Sequence, residues 1–298
     1  MKEYLSYFSA AAMWNIPYIE TVLDTKLAEA DLIDITVTQR NARSQRKGYN
    51  IFLSELALPA SAVVSKNGQM VASPELVFLQ FASKLHIHRL ILLGLQLCSY
   101  SPGKPSEAIT TKHKLKSFLM KTSSGHRGHI IASRAVKYLE DGSASIMESI
   151  VYMILTLPHA MGGYGLGDVV FNYEIKLSDD AGKRLGQKRC FLDMYYKSVK
   201  LAIEYDSFAF HNTPLMQGKD SMRSASLERQ GIDIMHMSTI QLYDKGACMD
   251  FAFNLASRLG KRIQIRTKKF NDMHEHLRSL LPIAESATGP DGPEGVEQ

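Results

Sequence analysis

The chain has 298 residues, 45% of them hydrophobic and 22% charged, with 20 Gly and 10 Pro. That is enough apolar material for a substantial core, and the composition excludes collagen-like, low-complexity and wholly disordered chains. The formal net charge is +5; setting apart Glu285, Asp291, Glu294 and Glu297, the only charges after Pro282, leaves +9 on the body, a balance that favours a polyanionic partner such as nucleic acid.

Cys98, Cys190 and Cys248 are far apart and form no CxxC or Cys/His finger spacing, which argues for a reducing compartment and against structural zinc or a disulfide framework. The longest apolar run, Leu90 to Cys98, is too short to span a bilayer. Tyr4 to Trp14 is apolar and Ala-rich, but Glu3 and the lack of a basic segment before it fit a signal peptide poorly. The expected location is cytoplasmic.

Residues 1 to about 100 read as an α/β region. Ile33 to Thr38 alternates as a strand does, and Gln39 to Lys47 (QRNARSQRK) is a basic polar loop. Ala62–Val64 and Met70–Val71 flank Lys66-Asn67-Gly68, a hairpin signal. Ser73-Pro74-Glu75 opens a helix whose apolar face is Leu76, Leu79, Phe81 and Ala82. Pro102 to Lys116 reads as a basic loop or linker. From Lys104 to Lys137 there are eight Lys/Arg and one Glu. Lys112, Lys114, Lys116, Lys121 and Arg127 are the candidates to contact a phosphate backbone, the alternative being a solvated surface. A second basic stretch, Arg258 to Lys269, follows an amphipathic helix.

The chemistry concentrates between Gly142 and Gly260. Ile146 to Leu157 has helical spacing, and residues 159–168 (HAMGGYGLGD) form a Gly-rich loop. That loop lacks a following Lys-Ser/Thr and precedes a strand, so it reads as a flexible connection and not as a phosphate or dinucleotide loop. Val169–Leu177, Arg189–Tyr195 and Lys200–Tyr205 are β-rich; Gly218–Gln230 is a helix stopped by Gly231; Ile232–Met237 is a strand; and a final helix covers Gln241–Leu259. The acidic tail from Pro282 reads as disordered.

Asp193 lies in an otherwise apolar and aromatic strand (CFLDMYY), and Glu204 and Asp206 end the next one (LAIEYD), on one face of it. In an antiparallel hairpin these carboxylates converge, and burying them favours a hard cation between them, Mg²⁺ or Mn²⁺. The competing reading leaves them solvated or paired with Arg223 or Arg229. Ser145 to Glu148 fits a capping box, in which Glu148 bonds back to the cap's N–H, while a catalytic reading turns the Glu148 carboxylate toward the cation. His211 is either a surface residue or a general acid/base, and Asp220 and Arg223, at i and i+3, are either an intrahelical pair or phosphate contacts.

The stretch FLDMYYKSVKLAIEYDSFAFHNTPLMQGKDSMRSASLERQGIDIMHM resembles the very-short-patch-repair-like branch of the PD-(D/E)XK nuclease superfamily. The matching elements are Asp193, Glu204, Asp206, His211, Asp220, Arg223 and Gly231, with Ser145 to Ser149 matching an upstream helix start. The resemblance covers roughly 145–245 and implies a restriction-endonuclease-like αβββαβ core with a mixed central sheet. It implies Mg²⁺-dependent phosphodiester hydrolysis, with Asp193 and Glu204 as metal ligands and Glu148 supporting a metal-bound water. Asp206 stands where the broader superfamily has a Lys; His211, Arg223 and Lys219 are the candidates to supply the missing charge, with Asp220 and Arg229 on the same helix as further phosphate or transition-state support. Residues 30–140 more faintly resemble the middle region of bacterial proteins that join an abortive-infection-type antitoxin or regulator module to such a domain, although the winged helix that opens those proteins is not found here.

The expected division is an N-terminal α/β domain over 1–100, a basic linker and helix over 101–141, a nuclease-like domain over 142–281 and the tail 282–298. The expected function is that of a metal-dependent endonuclease or nickase acting on nucleic acid, DNA first. The alternative is a catalytically inactive DNA-binding regulator or antitoxin-like protein on the same fold.

Overall fold

The computed structural model describes residues 3–25, 32–206, 214–265 and 268–282, and side chains throughout these except at 214–217. His211 and the tail from 283 onward lie outside the described residues. Two mixed sheets with helices packed around them make this an α/β protein.

The first sheet takes β1 (Glu3–Leu5), β2 (Ile33–Val37), β3 (Tyr49–Leu53), β4 (Val63–Lys66) and β5 (Gln69–Ala72) in the spatial order β3-β2-β1-β5-β4. The short β1 is its centre, antiparallel to β2 and parallel to β5. Asn67 and Gly68, both left-handed at φ 50° and 77°, close the β4–β5 hairpin as the sequence predicts, because such a turn matches the twist of the two strands. Helices α1 (Tyr7–Met13) and α2 (Ile19–Leu23) follow β1. Helix α3 (Pro74–Phe81) starts where expected, with Ser73 Oγ accepting from the Leu76 N–H at 3.2 Å. It is buried on nearly every side, Val77, Phe78 and Gln80 included, because α1, α4 (Ile87–Leu97) and α5 (Lys112–Lys121) enclose it.

The basic stretch corrects one expectation. The loop ends at Thr111, whose Oγ1 accepts from the Lys114 N–H and opens α5 inside the segment read as linker. Leu115, Phe118 and Leu119 supply the buried i, i+3, i+4 stripe, and the intervening lysines hid that period. Then come α6 (His129–Ala135) and α7 (Ile146–Thr156). Buried apolar residues from Tyr4 to Leu280 form one contiguous core, with α4 packed on α7.

The second sheet orders β6 (Val170–Lys176), β7 (Arg189–Tyr196), β8 (Leu201–Asp206) and β9 (Asp233–Ser238) consecutively, antiparallel except for the parallel β8–β9 pair. A short α8 (Asp179–Leu185) stands between β6 and β7, and α9 (Pro214–Arg229) connects β8 to β9. The expected final helix is two helices, α10 (Thr239–Tyr243) and α11 (Lys245–Arg258). Asp244 breaks the run because its Oδ1 accepts from the Ala247 N–H at 2.7 Å and starts the second helix. A further helix, α12 (Lys268–Arg278), packs back on α7 and on the Gly-rich loop.

That loop is not the flexible connection the sequence suggests. His274 of α12 is buried with Nδ1 at 2.7 Å from the Gly162 carbonyl, and Gly162, at φ 80°, lies against the Met273–His274 backbone. A Cβ added to Gly163 would stand 2.2 Å from the Leu157 carbonyl oxygen. Backbone cannot yield as a side-chain tip can, so Gly163→Ala is expected to cost about 2 kcal/mol, read as a lowered midpoint in urea unfolding.

Candidate functional site

The second sheet is regular at one end and parted at the other. Along β7, Cys190 and Leu192 pack in a small core with Leu227 of α9, whereas Met194 and Tyr196 pack in the large core, so the inward alternation changes face at Asp193. Along β6 the same change falls at Asn172, between Phe171 in the large core and Tyr173 and Ile175 beside the small one. Asn172 makes the change with a left-handed backbone, φ 43°. The ladder places these two positions opposite one another, between the pairs Phe171–Met194 and Tyr173–Leu192.

The β7–β8 ladder runs from Tyr196–Leu201 to Met194–Ile203. Beyond it side chains take over the backbone groups. Asp193 Oδ2 accepts from the Tyr205 N–H at 3.0 Å, and Arg223 Nη2 of α9 donates to the Phe191 carbonyl at 2.8 Å. One step along that register sets Asp193 against Glu204, and Glu204 is paired in turn with His236 of β9. The result is a polar row across all four strands: Asn172, Asp193, Glu204, His236.

Glu148, on the first turn of α7, reaches the same place. Ser145 Oγ caps the helix by accepting from the Glu148 N–H at 3.1 Å. The reciprocal half of the expected capping box is not formed. The carboxylate accepts from the Ala144 N–H at 2.9 Å, one residue before the cap, and from Asn172 Nδ2 at 3.4 Å. Glu148 is 8% exposed, and burial together with the nearby charge of Asp193 pushes its carboxyl from the ordinary 4.5 up to about 7.

Glu204, also 8% exposed, is likewise raised by burial and by Asp193, against the pull of Arg223. The guanidinium meets it in a fork, Nη2–Oε1 at 2.8 Å and Nη1–Oε2 at 3.0 Å. Asp193 is raised chiefly by burial. Arg223 thus offsets Glu204 directly and Asp193 through its charge, while Glu148 beside them is raised by burial and by Asp193.

Of the other sequence-derived candidates, Asp206 stands at the exposed end of β8, 3.1 Å from His236 Nδ1. Arg223 passes over Asp220, its i−3 neighbour, for the buried Glu204. Among the described residues the intrahelical pair is not formed, and Arg229 pairs with none of these carboxylates. Lys219, Asp220 and Arg229 are exposed on α9. Lys112 is held by Glu140 at 3.2 Å, while Lys114, Lys116, Lys121 and Arg127 are exposed. His211 lies outside the described residues. Sequence reasoning missed Asn172 and His236. The first carries a signal, since asparagine is a poor strand former; the second becomes visible only through the parallel pairing of β8 with β9.

The donor set suits a hard divalent cation in type: Asp193 Oδ1 and Glu148 Oε1 accept no hydrogen bond among the described residues, and both are carboxylate oxygens. Both oxygens of Glu204 accept from Arg223, and among the described residues no three His, Cys, Asp or Glu side chains stand ready to hold an ion. In comparisons with known proteins, no family model matches the chain, and neither a curated protein nor a solved structure does. Among the described residues no helix is long and apolar enough to cross a membrane.

Proposed function

We propose that the chain is a divalent-metal-dependent phosphodiester hydrolase that nicks or cuts nucleic acid, DNA in the first instance. The observation that carries this reading is the convergence of Glu148, Asp193 and Glu204 from a helix start and two adjacent strands, all desolvated, with Arg223 paired to Glu204. Uncompensated buried carboxylates are costly, and their persistence at one point is the arrangement expected of a site that gains its counter-charge on binding a ligand.

Asp193 and Glu148 would hold Mg²⁺ or Mn²⁺. Such an ion supplies neutralisation of a scissile phosphate and a more acidic water. The chain's own residues do the rest. The Ala144 N–H and Asn172 Nδ2 both donate to Glu148 Oε2 and fix the carboxylate, so that Oε1 would be the oxygen offered to the ion. Asn172 orients that carboxylate from the side, and Arg223 sets the rotamer of Glu204 and the position of β7. The exposed Lys114, Lys116, Lys121 and Arg127 offer phosphate contacts away from the cluster.

One observation favours a second reading: both oxygens of Glu204 are engaged by Arg223. A protein that retained the arrangement only as structure, and bound DNA without cutting it, would look this way. Supercoiled-plasmid nicking in Mg²⁺ and Mn²⁺ separates the two. Hydrolysis is expected, with loss of at least a hundredfold in Asp193→Asn and Glu204→Gln. DNA retained by the wild type with no nicking in either metal selects the silent binder.

A further inference from the structure

A second built site lies in the N-terminal half, away from the carboxylates. It is a cavity of about 540 Å³, within the size range of sites that take small organic ligands. Its wall is aromatic: Tyr7 and Phe52 have ring centroids 4.1 Å apart, with Tyr4 beside them. Its rim carries two guanidiniums, Arg43 from the basic loop 39–47 and Arg127 from the turn before α6, with His126 beside the second.

The pairing of these charges is selective. Arg40 and Arg46 of the same loop are held by Glu55 and Glu3, whereas Arg43 and Arg127 have no carboxylate partner among the described residues. Glu55, the one acid on the rim among the described residues, is already engaged by Arg40 at 3.2 Å. Lys84, outside the lining, lies against the same aromatic pair, its ammonium 4.2 Å from the Tyr7 ring centroid and 4.5 Å from that of Phe52.

Two details mark the cavity as more than a surface dent. Thr36, 2% exposed, lines it with a buried hydroxyl whose polar neighbour is the Tyr4 phenol. Tyr7 is left-handed, φ 42°, and is fixed there by its N–H donating to Gln80 Oε1 at 3.0 Å. A bulky residue at positive φ is strained, and such strain concentrates where a side chain must be aimed.

We infer that this cavity binds a nucleoside monophosphate unit, with the base against the Tyr7–Phe52 wall and the phosphate between Arg43 and Arg127. Two unpaired guanidiniums suit a phosphate dianion, the aromatic pair suits a planar ring, and the Thr36 hydroxyl offers a polar contact to the edge of that ring. The unit can be a free nucleotide or an unpaired nucleotide in a strand; the chemistry is shared. The inference does not rest on the hydrolase reading.

Calorimetric titration of the full chain in EDTA tests it, with the four nucleoside monophosphates, adenosine, inorganic phosphate and a single-stranded DNA hexamer as probes. At least one monophosphate is expected to bind tenfold or more tighter than either adenosine or phosphate. Arg43→Ala and Arg127→Ala, at exposed positions that leave the fold intact, are expected to weaken it at least tenfold each. Phe52→Leu is expected to shrink the advantage of the nucleotide over phosphate. A hexamer tighter than any monophosphate assigns the site to a strand, and the reverse order assigns it to a free nucleotide. Monophosphates that bind no better than inorganic phosphate, or arginine variants that bind like the wild type, overturn the inference.

Discussion

Arg223→Met is expected to lower the unfolding free energy by about 3–5 kcal/mol at pH 7, the usual consequence of stripping a buried charge of its partner. Glu204 is 8% exposed and takes both of its short hydrogen bonds from this one guanidinium. The same side chain satisfies the Phe191 carbonyl, so Met orphans a backbone acceptor as well. Restoring a charge without the fork separates these contributions: Arg223→Lys keeps a cation near Glu204 but cannot serve both carboxylate oxygens and the carbonyl at once, so it should fall between wild type and Met. The pairing itself is tested by Glu204→Met on top of Arg223→Met. Removing the stranded carboxylate should recover most of the loss, since a buried ion pair is commonly replaceable by apolar groups of similar size. Urea midpoints for the four proteins decide it, and an Arg223→Met protein as stable as wild type would mean that solvent, not the guanidinium, holds Glu204.

How far this site could be read from the sequence follows from what kind of information each residue carries. Asp193 and Glu204 stand out because a carboxylate inside an apolar alternation has nowhere cheap to go, and the hairpin that brings them together is written in the same alternation. Helix α7 and strands β6 to β9 fall where the periods place them, and the β4–β5 turn is fixed by Asn67-Gly68. Helix α8 was not read, although Ser178 caps it and the left-handed Gly186 ends it, because seven residues are too few to show a helical period. The choice Arg223 makes is also beyond sequence. Two acids lie within its reach, Asp220 three residues away and Glu204 on another element, and the desolvated one wins because an ion pair is worth more out of water. The same holds for the carboxylate of Glu148, which bypasses the cap N–H predicted by local spacing and joins Asn172 instead, a contact created by the left-handed turn of β6.

Glu148→Gln is the sharper test of the cluster because its effect changes with pH. A carboxyl at about 7 in the folded protein, against an ordinary 4.5, binds its proton more tightly when folded. The stability linked to that proton is therefore fully present below about pH 4.5 and is lost as pH rises through 7, by about 3 kcal/mol in all. Gln has nearly the same shape, can still accept from the Ala144 N–H, and has no charge to lose. The variant should match wild type at pH 4 and exceed it by up to about 3 kcal/mol at pH 8, measured by urea unfolding across the range. A gain of the same size at every pH would trace to packing and not to buried charge. Divalent metal supplies the second arm. If Glu148 and Asp193 hold the cation, Mn²⁺ at pH 8 should raise the thermal midpoint of wild type, because a ligand that binds the folded state alone stabilises it. The same addition should raise that of Glu148→Gln much less, since one of the two ligand carboxylates has gone. Equal responses of the two proteins to Mn²⁺ would place the ion elsewhere and leave Glu148 a strained carboxylate with no cation to justify it.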